Sequence, residues 1–314
     1  LLSDQAGQAA GVDSYKYLAT VGINAGQWCP VMGFDCLTRD QAFDDTRSLT
    51  YTSPPMVEPL EILGASKAIL HVSSSAEVAF FCVKLNDIFP DGSSRLVCRG
   101  ILNATRRQGM ANPTPLTPGE VYELEIPLKH ASWTFQKGHR LRVSISSSDW
   151  PWVWPSPIPA TNQLFWGAGQ ASRIILPVVT EQAISAKQVK FADPIELPQY
   201  LTYENTGKTY EFTTDLVRGY AIHKTGNRGK SQPNDAPFSR ESESLAEIGT
   251  SDEHPEDSYA KAYGKTSIIR TNSRIDITAN TSIRSTANQF LINIELKIEK
   301  EGAEFYKRSW AETF

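Results

Sequence analysis

The side chains of this 314-residue chain that could perform catalysis do not form a recognisable active site. A serine nucleophile in a Gly-x-Ser-x-Gly turn needs its glycines, because only glycine tolerates the close contacts around the strained serine. The sequence contains no such motif, and Ser146, Ser147 and Ser148 follow a predicted strand without flanking glycines. We interpret these three hydroxyls as hydrogen-bonding groups at a sheet edge, and we expect no catalytic residue in this chain.

The remaining titratable residues lack the spacing of a metal or cofactor site. None of the five histidines is spaced from another histidine or a glutamate as in a zinc-binding helix. Asp40, Asp44 and Asp45 fit a cap or turn better than a calcium loop, which needs oxygen ligands at close alternate positions. The acidic segment 241–257 is predicted to be a solvated loop. No phosphate-binding glycine motif is present, so we expect neither metal nor cofactor.

Charge and hydropathy exclude two classes of partner. The net charge of −4, without a basic stripe, argues against nucleic acid, and no apolar run approaches the roughly 18–20 residues of a membrane helix.

The first residues carry neither an initiator Met nor a signal-peptide pattern, as expected of a segment within a longer polypeptide. Four cysteines are too few for a disulfide scaffold, which favours a cytoplasmic location, and Cys82 and Cys98 are expected to be buried thiols.

A proline-rich loop after residue 146 contains the candidate binding residues Trp150, Trp152 and Trp154. Four prolines between residues 151 and 159 stiffen this loop, because each fixes its φ angle and removes a hydrogen-bond donor. Large aromatic rings on a rigid loop usually belong to a contact, since leaving one exposed forgoes about 1.5–3 kcal/mol of burial. The three rings therefore either face a partner or close the end of their own domain.

Apolar and polar residues alternate along most of the chain, which indicates half-buried β-strands. Eight such runs are Arg47–Ser53, Glu58–Leu63, Lys67–Ser73, Val78–Phe89, Arg95–Thr105, Val121–Leu128, Leu141–Ser147 and Arg173–Val178. Long connections without a sustained helical period favour an all-β, jelly-roll sandwich, while an immunoglobulin-like sandwich stays open. We assign this domain, with its N-terminal lead-in, to residues 1–185.

The alternation breaks near residues 180–199, where Thr180–Lys190 is compatible with one or two helical turns. From Tyr200 new alternating runs appear, joined late in the chain by tight turns. They predict a second antiparallel β-domain, a meander, over residues 195–314. Within it, Gly226–Pro255 is polar and charged, and we predict a long loop with room for one strand.

Several motifs occur in an order that resembles a known family. They are Gly26-Gln-Trp-Cys-Pro30, Asp44-Asp45-x-Arg47-Ser-Leu49, Pro59-Leu-Glu-Ile-Leu-Gly64, Pro118-Gly-Glu-x-Tyr122, Gly138-His-Arg-Leu-Arg-Val143 and Trp154-Pro-Ser-Pro157. Over residues 15–180 the set is similar to the C-terminal β-sandwich of the cocaine-esterase and X-prolyl dipeptidyl-peptidase (CocE/NonD) serine hydrolases. Residues 200–314 bear a weaker likeness to an extra β-domain of some members.

The resemblance implies a galactose-binding-like jelly roll that packs on an α/β-hydrolase domain and helps to wall its active site. That domain supplies the catalytic serine, aspartate and histidine, so ester, amide or X-Pro dipeptidyl hydrolysis is implied for the whole protein and not for this part. Trp150, Trp152 and Trp154 are then expected to dock on the hydrolase domain or to line the entrance of its acyl pocket. A domain interface of about 600–1,500 Å² left uncovered would also favour self-association.

Two other functions stay open. The chain could be an independent carbohydrate- or ligand-binding module, as jelly rolls include lectin domains, although the loop tryptophans lack polar partners that would orient a sugar. A self-sufficient enzyme with an unfamiliar site is the third possibility, and labelling by a fluorophosphonate probe would favour it.

Overall fold

The computed structural model describes residues 9–27, 37–180, 190–196 and 200–314. The chain divides into two compact units, residues 1–185 and 186–314, and each is described by itself. The described sheets are antiparallel, which confirms the all-β class. None of the described helices is long and apolar enough to cross a membrane. The predicted helical turns within Thr180–Lys190 fall on residues 181–189, outside the described ranges, as do Cys29 and Cys36.

The described part of the first unit contains nine strands and one short α-helix, besides short 3-10 turns. They are β1 (Ala10–Lys16), α1 (Ala42–Asp45), β2 (Leu49–Thr52), β3 (Leu60–Ser74), β4 (Phe80–Ile88), β5 (Ser94–Asn103), β6 (Tyr122–Phe135), β7 (Arg140–Ser146), β8 (Thr161–Gly167) and β9 (Arg173–Ile175). One sheet has the order β1-β8-β3-β6, with β9 also on β3, and the other has the order β2-β7-β4-β5. An eight-stranded jelly roll orders its strands in this way, which supports the jelly-roll interpretation.

The hydrophobic core lies between these two sheets. Alternate residues of β4, namely Phe81, Val83 and Leu85, are completely buried in it, and Leu70 and Val72 of β3 face them from the other sheet. The alternation that predicts the strands is therefore the pattern of residues that face the core. Burial of side chains of this size stabilises the unit by about 1.5–3 kcal/mol each.

Strand β3 corrects one prediction. The sequence pattern divides this region into two runs, Glu58–Leu63 and Lys67–Ser73, whereas the structure has a single strand of 15 residues. The register of β3 against β6 shifts between Ala65 and Lys67, where β6 advances three positions while β3 advances two, so the β-bulge places its extra residue in β6. Along β3, Ile62, Ala68 and Leu70 all belong to the core, so the strand keeps the same face throughout. Gly64 and Ser66 occupy positions of the same alternation without a large apolar side chain, and they interrupt the pattern without ending the strand.

Helix α1 places two carboxylates against the outer face of the second sheet. Asp40 lies one residue before the helix N-cap, Gln41, and its Oδ1 accepts hydrogen bonds from the backbone N–H groups of Ala42 and Ser94, both at 2.9 Å, as expected of a turn residue. Asp44 and Asp45 do more than the cap or turn that their spacing suggests. Lys84 Nζ lies 3.1 Å from Asp44 Oδ2, and Arg142 Nη1 lies 3.0 Å from Asp45 Oδ2. Both carboxylates are buried, so these ion pairs fix the lead-in segment to the sandwich.

The residues of the second unit that the structure describes form a single sheet of seven strands. They are β10 (Leu201–Asp215), β11 (Tyr220–Pro233), β12 (Phe238–Ser251), β13 (Tyr259–Arg270), β14 (Ser273–Ser285), β15 (Phe290–Lys300) and β16 (Ala303–Thr313). Each strand pairs antiparallel with the next in the chain, so the sheet is a meander.

The prediction of a long loop over Gly226–Pro255 is wrong, because this segment contains most of the β11–β12 hairpin. Lys230 of β11 pairs with Glu241 of β12 at 3.0 Å, and Arg228 pairs with Glu243 in the same way. Such cross-strand charge pairs stabilise a sheet face that is open to water, so the strands need no apolar pattern. The acidic segment 241–257 is accordingly a strand followed by a turn, not a solvated loop.

The second unit should lose stability in acid through Glu247 of β12. Hydrogen bonds from Lys261 and Tyr259, both 2.9 Å from Oε1, and the ion pair with Lys224 lower the pKa of Glu247 to about 2. A carboxylate with a depressed folded-state pKa contributes stability above its unfolded pKa, and this contribution is lost as the pH falls from 4.5 to about 2. Thermal unfolding followed by circular dichroism across this range should show a smaller acid dependence for Glu247→Gln. The exposed Glu312 of β16 is the control, and an equal effect of Glu312→Gln would contradict the assignment.

Candidate functional site

The three tryptophans predicted as binding residues lie on the connection from β7 to β8, residues 147–160, which we call the tryptophan loop. Trp150 is completely buried, whereas Trp152 and Trp154 are partly exposed. The peptide bond between Trp150 and Pro151 is cis. The loop thus has one ring inside the fold and two rings that keep part of their surface exposed.

A buried ion pair fixes the base of the tryptophan loop. Arg99 of β5 donates through Nη1 to Asp149 Oδ1 at 3.1 Å and through Nη2 to the carbonyl oxygen of Gly26 at 2.8 Å. The side chains of Arg99 and Asp149 are 3% and 0% exposed, so water does not compete for this pair. Because breaking a buried pair leaves an uncompensated charge, the position of Asp149 next to Trp150 is strongly constrained.

The lead-in segment holds the loop from the other side. Ser148 Oγ donates to the carbonyl oxygen of Ala19 at 2.8 Å, and the backbone N–H of Trp150 donates to that of Val21 at 2.9 Å. Tyr17 donates through its hydroxyl to the carbonyl oxygen of Ser156 at 3.1 Å, near the end of the loop. The loop is therefore attached along its length to segments distant in sequence, and Trp152 and Trp154 are presented from a rigid support.

The serines and cysteines near the loop have structural roles. Ser146 Oγ donates to the carbonyl oxygen of Ser148 at 2.9 Å, and Ser147 Oγ lies 3.3 Å from the hydroxyl of Tyr15. Burial raises the pKa of the Cys82 thiol to about 12 and that of Cys98 to about 11, which keeps both protonated and unreactive at neutral pH. The prediction that both cysteines are buried thiols is confirmed.

One histidine pairs with a carboxylate that the sequence analysis did not single out. His139 Nδ1 lies 3.0 Å from Asp87 Oδ1, and Asp87 Oδ2 accepts a hydrogen bond from Trp133 Nε1 at 3.1 Å. A histidine–aspartate pair orients a catalytic base only if a nucleophile lies on the other side of the ring. In the parts of the chain that the structure describes, no serine, threonine or cysteine side chain hydrogen-bonds to His139, so the pair joins β4 to the start of β7.

Three potential metal ligands lie close together in the turn before β13. The ligand atoms of His254, Glu256 and Asp257 are all within 4.8 Å of one another. His254 and Asp257 are exposed, and His254 Nδ1 already lies 3.2 Å from Glu256 Oε1. This arrangement is a hydrogen-bonded surface turn, and it gives no reason to assign a metal.

Comparison with known proteins shows which family the first unit belongs to. The model of the X-Pro dipeptidyl-peptidase C-terminal non-catalytic domain matches residues 4–173, which is more than half of the chain. The chain belongs to this family. Its nine-stranded sandwich is thus an X-Pro dipeptidyl-peptidase C-terminal non-catalytic domain, the accessory C-terminal region of CocE/NonD-type hydrolases.

Relatives of this domain family are much longer than the chain. Cocaine esterase of a Rhodococcus species is 34% identical over 145 residues, which cover 42% of this chain and 25% of the esterase. A Mycobacterium bovis protein named as a candidate serine esterase is 31% identical over 192 residues, covering 54% of this chain and 30% of that protein. The crystal structure of an aminopeptidase from a marine sediment archaeon superposes with a TM-score of 0.51 at 24% identity, covering 56% of this chain and 34% of that one. The chain spans about a quarter to a third of the length of these relatives.

Proposed function

We propose that this chain packs on the α/β-hydrolase catalytic domain of the same protein and shapes access of an ester, amide or X-Pro peptide substrate. The observation that carries the proposal is the tryptophan loop, which holds Trp152 and Trp154 partly exposed on a rigid support. The family supports it as well, because a domain described as non-catalytic acts through another domain. Trp150 does not contact the partner in this proposal, because its ring is buried; it supports the loop that carries the other two rings.

Physical chemistry favours docking by these two rings. An indole combines a large apolar surface with one donor, and such rings dominate the energetics of interfaces where they fill a pocket. The loop loses little entropy on binding, because its prolines and its buried ion pair already restrict it. In the absence of the hydrolase domain the same exposed rings favour self-association of the chain.

Trp152→Ala should weaken association with the separately expressed hydrolase part of the protein by about thirtyfold, the loss typical of a buried aromatic anchor of about 2 kcal/mol. Trp166→Ala is the matched control, because Trp166 lies on β8, outside the loop, and is 36% exposed. Titration calorimetry gives the affinity, and urea unfolding shows whether each variant remains folded. Equal affinities of the wild-type chain and Trp152→Ala, or an equal loss with Trp166→Ala, would overturn docking through the loop.

A further inference from the structure

One face of the second unit's sheet contains a groove of about 610 Å³, formed across β12 to β16. Leu245 and Glu247 line the groove, but Ala246 between them does not, so the groove lies on the face shared by Leu245 and Glu247. Cross-strand register places further lining residues on that face, namely Tyr263, Asn280, Glu295, Ser309, Ser282 and Asn293. Its volume is within the range of about 300–1,000 Å³ that is usual for small-molecule sites.

The charged groups of the groove already neutralise one another. Glu247 is paired with Lys261 at 2.9 Å and with Lys224 at 3.3 Å, and Glu295 is paired with Lys307 at 3.3 Å. A charged ligand would have to break these ion pairs. The groove has no excess of positive or negative side chains that would offset the cost of breaking them. The groove therefore favours an uncharged ligand.

Unlike the charged side chains, the neutral polar side chains of the groove are not paired with one another. Within the described residues, neither Asn280 nor Asn293 forms a side-chain hydrogen bond, and the same holds for the hydroxyls of Ser282 and Ser309. Two amides and two hydroxyls offer both donors and acceptors in close array, since paired strands lie about 5 Å apart. A ligand that satisfies all of them must itself carry several hydrogen-bonding groups, and the hydroxyls of a sugar supply both donors and acceptors.

The groove also has apolar surface in the place where a sugar ring would need it. Tyr263 is 36% exposed and Leu245 is 44% exposed, and they lie directly opposite each other on β13 and β12. The C–H face of a pyranose packs on an aromatic ring, while its equatorial hydroxyls reach amide and hydroxyl groups beside that ring. We propose that this groove binds a neutral saccharide, with Tyr263 as the stacking ring and Asn280 and Asn293 as the hydrogen-bonding groups.

Titration of the whole chain with a panel of neutral tetrasaccharides (gluco-, manno-, galacto- and xylo-configured) tests the proposal, with tetragalacturonate as the acidic comparison. We expect at least one neutral tetrasaccharide to bind, and Tyr263→Ala to lower its affinity about tenfold or more. Tyr263→Phe, which keeps the ring, should retain most of the affinity. Tyr306→Ala is the matched control, because Tyr306 is 40% exposed and lies on the opposite face of the sheet.

Three results would overturn the proposal: no binding by any neutral member at millimolar concentration, an equal loss with Tyr306→Ala, or tighter binding of tetragalacturonate. Circular dichroism of Tyr263→Ala verifies that a lost affinity is not a lost fold. The measurement is independent of docking by the tryptophan loop, because it needs no hydrolase domain. Failure of one proposal therefore leaves the other standing.

Discussion

Lys84→Met should lower the free energy of unfolding of the first unit by about 3–5 kcal/mol, the cost of removing one partner from a buried ion pair. Lys84 is 2% exposed on β4, with its Nζ 3.1 Å from Asp44 Oδ2 and 3.3 Å from Gln41 Oε1. Burial lowers the pKa of Lys84, but the carboxylates of Asp44 and Asp149 raise it, and its net shift is upward. The lysine is therefore charged in the folded protein, and methionine would leave Asp44 buried without its cation.

Urea unfolding followed by tryptophan fluorescence measures this loss, because six of the seven tryptophans belong to the first unit. The control is Lys67→Met, which breaks a pair of similar length, 3.0 Å to Glu125, whose side chains are 40% and 60% exposed. That exposed pair should contribute less than about 1 kcal/mol. The double variant Lys84→Met with Asp44→Leu should regain part of the lost stability, since it removes both charges. Equal losses for Lys84→Met and Lys67→Met would contradict a buried role for this ion pair.

Alternation in the sequence predicts those strands that have one apolar and one polar face. Strands β4 and β7 differ by only one or two residues at each end from the predicted runs Val78–Phe89 and Leu141–Ser147. The rule fails for β11 and β12, where both faces carry polar residues and lysine–glutamate pairs replace apolar packing. It also divides β3 into two runs, because Gly64 and Ser66 lie in the same alternation as Ile62 and Ala68 but add no large apolar side chain.

The candidate sites depend on distances that no local pattern contains. The tryptophan loop is visible in the sequence, since three indoles and four prolines lie within ten residues. Its anchors are not, because Arg99 and Asp149 are 50 positions apart and meet only after the second sheet forms. The groove of the second unit likewise requires the register of β14 and β15, which sets Ser282 opposite Asn293. Clusters of residues that are close in the sequence are thus predictable here, whereas contacts between polar groups that are distant in the sequence are not.

Gly22→Ala should lower the free energy of unfolding by about 2–4 kcal/mol and displace the tryptophan loop. Gly22 has a φ of +123°, a conformation that other residues adopt only with strain, and a Cβ there would lie 2.6 Å from the backbone nitrogen of Trp150. The neighbouring carbonyl of Val21 accepts the hydrogen bond of that same nitrogen at 2.9 Å. An added methyl group therefore separates the lead-in segment from the loop at the point where they are joined.

Gly92→Ala separates the two causes of the stability loss in Gly22→Ala, which are backbone strain at a positive φ angle and the clash of the added Cβ with Trp150. Gly92 also has a positive φ, +90°, but no atom lies within 4 Å of its Cβ position, so alanine there should lose only the strain component of about 1 kcal/mol. The difference between the two variants in urea unfolding measures the close approach of the lead-in segment to Trp150. Gly22→Ala should also weaken association with the hydrolase part of the protein, because Trp152 and Trp154 are presented by the displaced loop. If Gly22→Ala unfolds no more easily than Gly92→Ala, the loop does not depend on this contact, and the Arg99–Asp149 ion pair with the hydrogen bonds of Ser148 and Tyr17 is enough to hold it.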